Sequence, residues 1–598
     1  MSRADDGAID VWSAEFPAFC AEFRIAWREL PIADVEKSEA HAAEFLIALL
    51  RHNRWLRWRF PRALSDGAEG SFAGWMARNG GRKFGLSVAA LKKIRGVFRR
   101  PPGQHIYEVY LQDRALQELY EWGLVPTGQR YFLDWLTNHG RSDQQIQDHE
   151  IIWFLHESAE DPARTVALTY LVQPSWQRQF PAALTPAGWS AFRHWVEAQH
   201  RGYRFRRALR KLPQLLPRKQ QQALERSPSS AVVEGANILS HFCYPSGIQQ
   251  AALWTKAALE RAGVRTSCRD VSAGINTKLL PRAEWLGLEV YPFTIITVAP
   301  TPYFATAYER SSLFRRPGVY RIAYWAWELE TIPEDWLQLL PLLDEIWSPT
   351  QFVAKAMRTR MTVPIETMPP GVEVGPVESV PKDSLGIPDD HYVFLFMFDM
   401  YSDFERKNPL AVIRAFRRAF RRNEKATLVL KTSRGTPDEA AFARLQAFAA
   451  ENGVLLVSEL LSRAKAYGFL EMCDCYVSLH RSEGFGLGMA EAMLLGKPVI
   501  ATGYSGNVDF MNNGNSLLVD YQLTKIRRAG PLYEAGSVWA EPSEEQAAAF
   551  MRQVFDDRAG AAAMGARANE ELQEKLSLET AGKRMAARLQ AAAALRRS

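Results

Sequence analysis

From about residue 231 onward, short apolar runs alternate with amphipathic helical stretches for over 300 residues. The runs fall at 232–243, 293–300, 319–325, 345–348, 392–398, 427–431, 453–457, 474–479, 498–501 and 516–519. Helical patterns stand between them, as at 247–262, 409–422 and 438–451. Two parallel strands need a crossover, usually a helix, so this alternation demands parallel sheets covered by helices on both faces. The series is too long for one sheet. The Pro-, Gly- and acid-rich stretch VEVGPVESVPKDSLGIPDD (372–390) divides it. The expected fold class is α/β, with two doubly wound Rossmann-like domains at 231–375 and 376–560. The Ala- and Arg-rich residues 561–598 form a closing helix.

The first 202 residues have a different period. Phe60, Tyr120 and Phe180 are spaced by 60, as are Leu64, Leu124 and Leu184. Phe72, Phe132 and Phe192 keep the same register, and so do Trp75, Trp135 and Trp195. Phe72 and Trp75 are three apart, which puts both on one helix face. One such unit cannot bury its aromatic face alone, whereas stacked units can. An all-α domain of three repeats is expected over 1–202, followed by a basic, Gln-rich linker over 203–230.

Composition narrows the partners. The five cysteines are scattered without zinc-site spacing, which implies a reducing compartment and no metal site. The opening MSRADDGAIDVW lacks the features of a secretory leader, and no apolar run approaches the length of a membrane span. A cytoplasmic protein is expected. The net charge is +6, with basic clusters at 91–100, 204–212 and 414–422. These are solvated helix faces and a linker, or they attract anionic lipid at the inner face of the membrane or an acidic acceptor. No nucleic-acid motif accompanies them.

The chemistry concentrates at 474–507. DCYVSLH reads as a strand, Arg481 to Phe485 as its exit loop, and Gly486-Leu487-Gly488 as a tight turn. MAEAMLLG follows as a helix ending at Gly496, and KPVIAT as the next buried strand. This geometry aims a helix N-terminus and bare N–H groups at the strand ends, where a diphosphate is favoured. Glu483 and Glu491 border the same crevice, and carboxylates suit vicinal diols.

This segment resembles the E-x7-E motif of the retaining glycosyltransferases of family 4, and GKPVIATGYSGNVDF resembles that family's next strand and loop. The similarity extends over about 233–560, the pair of domains called GT-B. YRIAYWAWELETIPEDW and DEIWSPTQFVAKAM resemble the acceptor-side domain of a bacterial subgroup that assembles polysaccharides and glycans. The resemblance implies that Glu491 holds the ribose hydroxyls, that Glu483 meets the transferred sugar, and that Phe485, Gly486, Leu487 and Gly488 offer N–H groups to sugar and phosphate. Lys407, in FDMYSDFERKNPLAV, matches the basic residue that meets the diphosphate. The family's preceding arginine is replaced at Tyr401–Ser402, and Arg406 or Lys431 is expected to compensate. His480 is placed at the crevice edge. On the acceptor side, Gly247, Trp325, Trp327 and Glu328 are candidates to line the cleft.

The expected activity is transfer of a sugar from a UDP- or GDP-sugar to a glycan or lipid-linked acceptor, with no other cofactor and no metal. The departing phosphate serves as base, so no protein nucleophile is expected. Two alternatives share the fold: a sugar-nucleotide epimerase, and a noncatalytic protein that binds nucleotide sugar. The identity of the sugar, the acceptor and the oligomeric state are left open by the sequence.

Overall fold

A computed structural model describes every residue except 1–8, 29–31, 200–202, 211–212, 214, 227–232, 275–280, 434–437, 528–529, 531 and 597–598. The first sheet holds β1 (Gly235–Ser240), β2 (Arg265–Asp270), β3 (Phe293–Ile296), β4 (Tyr320–Tyr324), β5 (Glu345–Ser348) and β6 (Ile365–Thr367). Their spatial order is β2-β1-β3-β4-β5-β6. The second sheet holds β7 (Tyr392–Phe398), β8 (Ala426–Thr432), β9 (Leu455–Ser458), β10 (Cys475–Ser478), β11 (Val499–Thr502) and β12 (Leu517–Val519). It is ordered β12-β11-β10-β7-β8-β9. All pairings within both sheets are parallel. These are two doubly wound Rossmann-like domains, preceded by an all-helical region. Strand order reverses at β1 in the first sheet and at β7 in the second. Such reversals open crevices at the carboxyl ends of the strands. A hairpin of β13 (Tyr521–Lys525) and β14 (Val538–Pro542) is added after the second sheet.

The C-terminal residues serve both domains. The helix Arg558–Leu576 packs on the second, with Gly565 against the Gly496 carbonyl. The last helix, Leu578–Leu595, crosses back to the first. There Gly582 lies against the Ala258 carbonyl in the helix Gly247–Arg261, so close that a Cβ would collide. Arg588 grips buried Glu345 with two hydrogen bonds of 2.8 and 2.9 Å.

In the helical region one local geometry recurs at a spacing of 60. The helix Gln104–Gln112 ends where the Gln117 amide donates to the carbonyls of Tyr110 and Leu111, at 3.0 and 2.9 Å. The helix Pro162–Leu171 ends on Gln177, which donates to Tyr170 and Leu171 at 3.0 Å each. Arg57 does the same for Leu50 and Arg51 at the end of Glu39–His52. Each long side chain meets carbonyls that the helix end leaves without intrahelical partners. Phe72 stacks with Trp75, Phe132 with Trp135 and Phe192 with Trp195, at interplanar angles of 15°, 5° and 21°.

Two buried arginines of the first sheet domain hold the helical region in place. Arg282 donates to the Leu111 carbonyl at 2.6 Å and Arg269 to the Leu171 carbonyl at 2.7 Å. The segment read as a linker is partly structured. The helix Arg218–Leu224 packs Gln220 on the Thr266 carbonyl at 3.1 Å, and Leu209 accepts from the Trp189 indole. Residues 211–212, 214 and 227–230 of that segment lie outside the described ones.

Candidate functional site

The loop after β7 forms a short helix, Phe404–Lys407, capped by Asp403, whose carboxylate accepts from the Arg406 N–H at 2.8 Å. Asn408 ends it with a left-handed backbone, φ +53. The loop after β10 is stitched to this helix. The Arg481 N–H donates to the Arg406 carbonyl at 2.8 Å, and Arg406 Nη1 donates to the Ser482 carbonyl at 2.9 Å. These bonds bring the carboxyl ends of two adjacent strands together.

Glu483 sits between the cations of that helix. Lys407 Nζ pairs with Oε1, and Arg406 Nη1 approaches Oε2 at 3.1 Å. Its own N–H donates to Ser505 Oγ at 2.8 Å. Burial alone would raise the Glu483 carboxyl, but Lys407 and Arg406 together overcome it and hold the group down at about 2. Burial holds the Lys407 ammonium below its usual range, against the upward pull of Glu483. Among the described residues, buried Arg406 Nε and Asn408 Nδ2 find no hydrogen-bond partner. Two buried donors beside the Glu483 cluster are thus without an acceptor.

The helix Leu487–Leu494 points into the same place. Gly486 precedes it with φ +100 and no side chain to cap it. Its first N–H groups are therefore left for an anion. Gly488 packs so tightly on β10 that a Cβ would stand 2.6 Å from the Tyr476 hydroxyl. Across the cleft, the helix Gly247–Arg261 begins at Gly247, where a Cβ would lie 3.3 Å from Leu487. Two helix N-termini, one from each domain, face one another there.

The first domain also reaches over the cations. Glu328 approaches Arg406 Nη2 at 3.6 Å and accepts from the Tyr533 hydroxyl at 3.1 Å. Its carbonyl accepts from Ser482. Thr350 donates to the Gly484 carbonyl at 3.0 Å, and the Gln351 N–H donates to Asp509 at 2.6 Å.

The structure thus gathers Arg406, Lys407, Glu483, Glu328, Gly247 and the turn from Phe485 to Gly488. It departs from the sequence reading elsewhere. Gly486 lets the helix start at Leu487, so Gly488 lies within it and Glu491 is its fifth residue, beyond the first turn. Glu491 is buried and paired with Arg463, with the Tyr467 hydroxyl at 3.4 Å. His480 is wholly buried, not at a crevice edge, between Ser478 Oγ and Asn507 Oδ1, each at 3.1 Å. Burial keeps its imidazole below the usual value. Trp325 is core, packed on Phe304 and Trp336, and does not line the cleft. Trp327 is also buried, against Trp336 and Tyr533. Ser402 donates its N–H to the Asp399 carbonyl at 3.0 Å. Lys431 lies on β8, where burial lowers its ammonium and Asp399 and Glu459 draw it up. Ser505, Asn408, Arg463 and Tyr533 were missed. Ser505 stood inside the quoted segment, and its φ of +76 has no signature in a serine. Among the described residues, no group of three or more His, Cys, Asp or Glu side chains is arranged to hold a metal ion.

Residues 381–571 match the family model described as Glycosyl transferases group 1. The second sheet domain is therefore a glycosyltransferase domain of that group, while the first sheet domain and the helical region lie outside the match. None of the curated proteins compared with the chain matches it. Among solved structures, HepE of Anabaena in complex with UDP and glucose is 14% identical. That match covers 60% of this chain and 100% of that one, at a TM-score of 0.43. A glycosyltransferase of Rickettsia africae is 13% identical over 60% of this chain and 99% of its own, at 0.46. A sucrose-phosphate synthase of Thermosynechococcus elongatus is 15% identical over 60% and 100%, at 0.43.

Proposed function

We propose that this chain, whose second sheet domain is a group 1 glycosyltransferase domain, moves a sugar from a nucleoside diphosphate sugar to an acceptor hydroxyl, with retention at the anomeric carbon. In this reading it is a family 4 enzyme of bacterial glycan assembly. The chain divides at about residue 375 into an acceptor side and a donor side, and the N-terminal helices are three copies of one unit. The observation that carries the reading is the Arg406–Lys407–Glu483 cluster beside the uncapped helix Leu487–Leu494. Leaving of a diphosphate develops negative charge on its oxygens, and preorganised cations and N–H groups stabilise that charge without reorganising. Arg406 Nε is an unsatisfied donor of this kind, and the start of the helix, which no side chain caps, adds its positive end. The bond from the anomeric carbon to the phosphate oxygen breaks, the bond to the acceptor oxygen forms on the same face, and the acceptor proton passes to the departing phosphate. Glu483, held ionised by its two cations, accepts from sugar hydroxyls. Glu491 meets the ribose once Arg463 yields it.

The test is thermal stabilisation by a panel of UDP- and GDP-sugars, with Glu483→Ala and Glu491→Ala alongside. A ligand at about a hundred times its Kd adds about 2.7 kcal/mol, which raises the melting temperature by several degrees. The wild type should respond to one nucleotide family and both variants should lose the response. A wild type that no nucleotide sugar stabilises ends the reading. A response that survives both substitutions moves the site elsewhere. Proton NMR of the product, with the anomeric configuration of the donor preserved, tests retention.

A further inference from the structure

The three 60-residue helical units differ sharply in charge. Residues 51–100, around the first unit's short helix, hold 13 basic and 2 acidic side chains, a net of +11. The matching residues 111–160 hold 3 basic and 9 acidic, a net of −6. Residues 171–220 of the third unit hold 10 basic and 1 acidic, a net of +9, so basic first and third units flank an acidic second, and charge alone does not single out the first.

The first unit also exposes large aromatics. On the short helix Arg54–Arg59, Trp58 is 77% exposed and Trp55 is 49% exposed. Arg54 and Arg59 are exposed on the same helix. Lys83 from the next helix reaches over the Trp55 ring, 5.5 Å from its centroid. The other copies provide an internal control. Sixty residues on, the places of Trp55 and Trp58 are taken by Ala115 and Glu118, and after another sixty by Ser175 and Arg178. The short helices Arg114–Leu119 and Pro174–Gln179 form without a tryptophan at either place. Packing of the unit therefore does not require Trp55 and Trp58 to be aromatic. The hydrogen bonds that join the helices to the first sheet domain come from the second and third copies, through Leu111, Gln117, Leu171 and Gln177. That arrangement leaves the outer face of Arg54–Arg59 to solvent.

We propose that this face is a docking surface for an anionic lipid bilayer, with Trp55 and Trp58 seated at the headgroup level and Arg54, Arg59 and Lys83 against the lipid phosphates. Tryptophan suits that depth because its ring is apolar and its N–H stays wet. Clustered arginines and lysines supply the attraction to anionic headgroups, which falls off within a Debye length. Among the described residues no helix is long and apolar enough to cross a membrane, so the contact is peripheral. It places the chain at the surface where lipid-linked acceptors reside, but it stands apart from the donor site and does not depend on it.

Flotation of the full chain with vesicles tests this. Binding is expected to phosphatidylcholine vesicles containing phosphatidylglycerol, to weaken with salt, and to be absent with phosphatidylcholine alone. The double variant Trp55→Ala, Trp58→Glu copies the second unit and should keep the wild-type melting curve while losing at least about tenfold in vesicle affinity. Arg54→Gln and Arg59→Gln should each lose about fivefold. Leu119→Gln, at the second copy's counterpart of Arg59, should lose nothing. Failure to bind anionic vesicles overturns the proposal, as does a double variant that binds like wild type. Tighter binding of heparin or duplex DNA, lost in the same double variant, would assign the face to a soluble polyanion instead. A nucleotide-sugar response that persists in the double variant separates this outcome from that of the donor site.

Discussion

Taking a carboxylate out of water is costly unless charges and hydrogen bonds replace the water it loses. Glu483 meets that condition with Lys407 and Arg406, and the consequence is a dependence on pH. Its folded value, about 2, lies below the unfolded 4.5. The stabilisation is therefore full above about pH 4.5 and is lost as the pH falls toward 2, with more than half gone by about pH 3. The full amount is about 3 kcal/mol. Urea unfolding followed from neutral pH downward should show this loss. Glu483→Gln should show a flatter profile and, at neutral pH, a stability lower by about 3–5 kcal/mol, because Arg406 and Lys407 are then left facing each other. A Glu483→Gln profile parallel to wild type would mean that other carboxylates carry the acid sensitivity. Residue identity made this pair legible, since Glu483 and Lys407 both stand in recognisable strings. It did not reveal that His480 and Trp325 are buried. Both follow strands, and the turn that leaves a strand decides whether its next side chain enters the cleft or the core.

The strand–turn–helix unit around β10 depends on one hydrogen atom in place of a methyl group. Gly488 stands where a Cβ would come 2.6 Å from the Tyr476 hydroxyl, which itself donates to the Met397 carbonyl at 3.2 Å. Gly488→Ala should push the helix off its strand, costing about 1–3 kcal/mol and weakening nucleotide-sugar binding. Removing the hydroxyl with Tyr476→Phe in the same chain should restore much of both, because the collision is with that oxygen. Urea midpoints and titration calorimetry on the two single variants and the double variant test the coupling, and additive losses would place the strain elsewhere. The apolar runs announced ten of the twelve strands of the two sheets. They missed β2, whose RTSCRD looks like a loop. Arg269 is buried there because the carbonyls of Leu171, Leu286, Ser311 and Ser312 receive its guanidinium, and three of those four residues are more than 40 positions away. Partners so distant leave no mark on the local pattern. β6 escaped because it is three residues long, and the β13–β14 hairpin because β13 is exposed along nearly its whole length.

At the scale of the whole molecule, the two sheet domains meet over one charge. Arg406 faces two carboxylates: Glu483 of its own domain and Glu328 of the other. The hairpin supports the second contact, since Tyr533 donates to Glu328 and packs on Trp327. Neither link was legible, because Glu328 and Arg406 are 78 positions apart and nothing in either string names the other. A diphosphate that comes to Arg406 competes with these carboxylates for the same guanidinium. Glu483 pairs directly with both Lys407 and Arg406, whereas among the described residues Glu328 meets Arg406 at the longer 3.6 Å and accepts from the neutral Tyr533 hydroxyl, so Glu328 is the group displaced. Glu328→Gln should therefore bind UDP or GDP more tightly, by up to about tenfold or 1.4 kcal/mol. It should also open the cleft in the absence of ligand, because the domains lose their shared ion pair. Titration calorimetry reads the first effect and the radius of gyration from small-angle X-ray scattering the second. Tyr533→Phe should move both in the same direction by less, since it removes one hydrogen bond from Glu328 and leaves its charge. If Glu328→Gln binds the nucleotide more weakly than wild type, Glu328 works with the donor, and closure of the two domains completes the nucleotide site rather than guarding it.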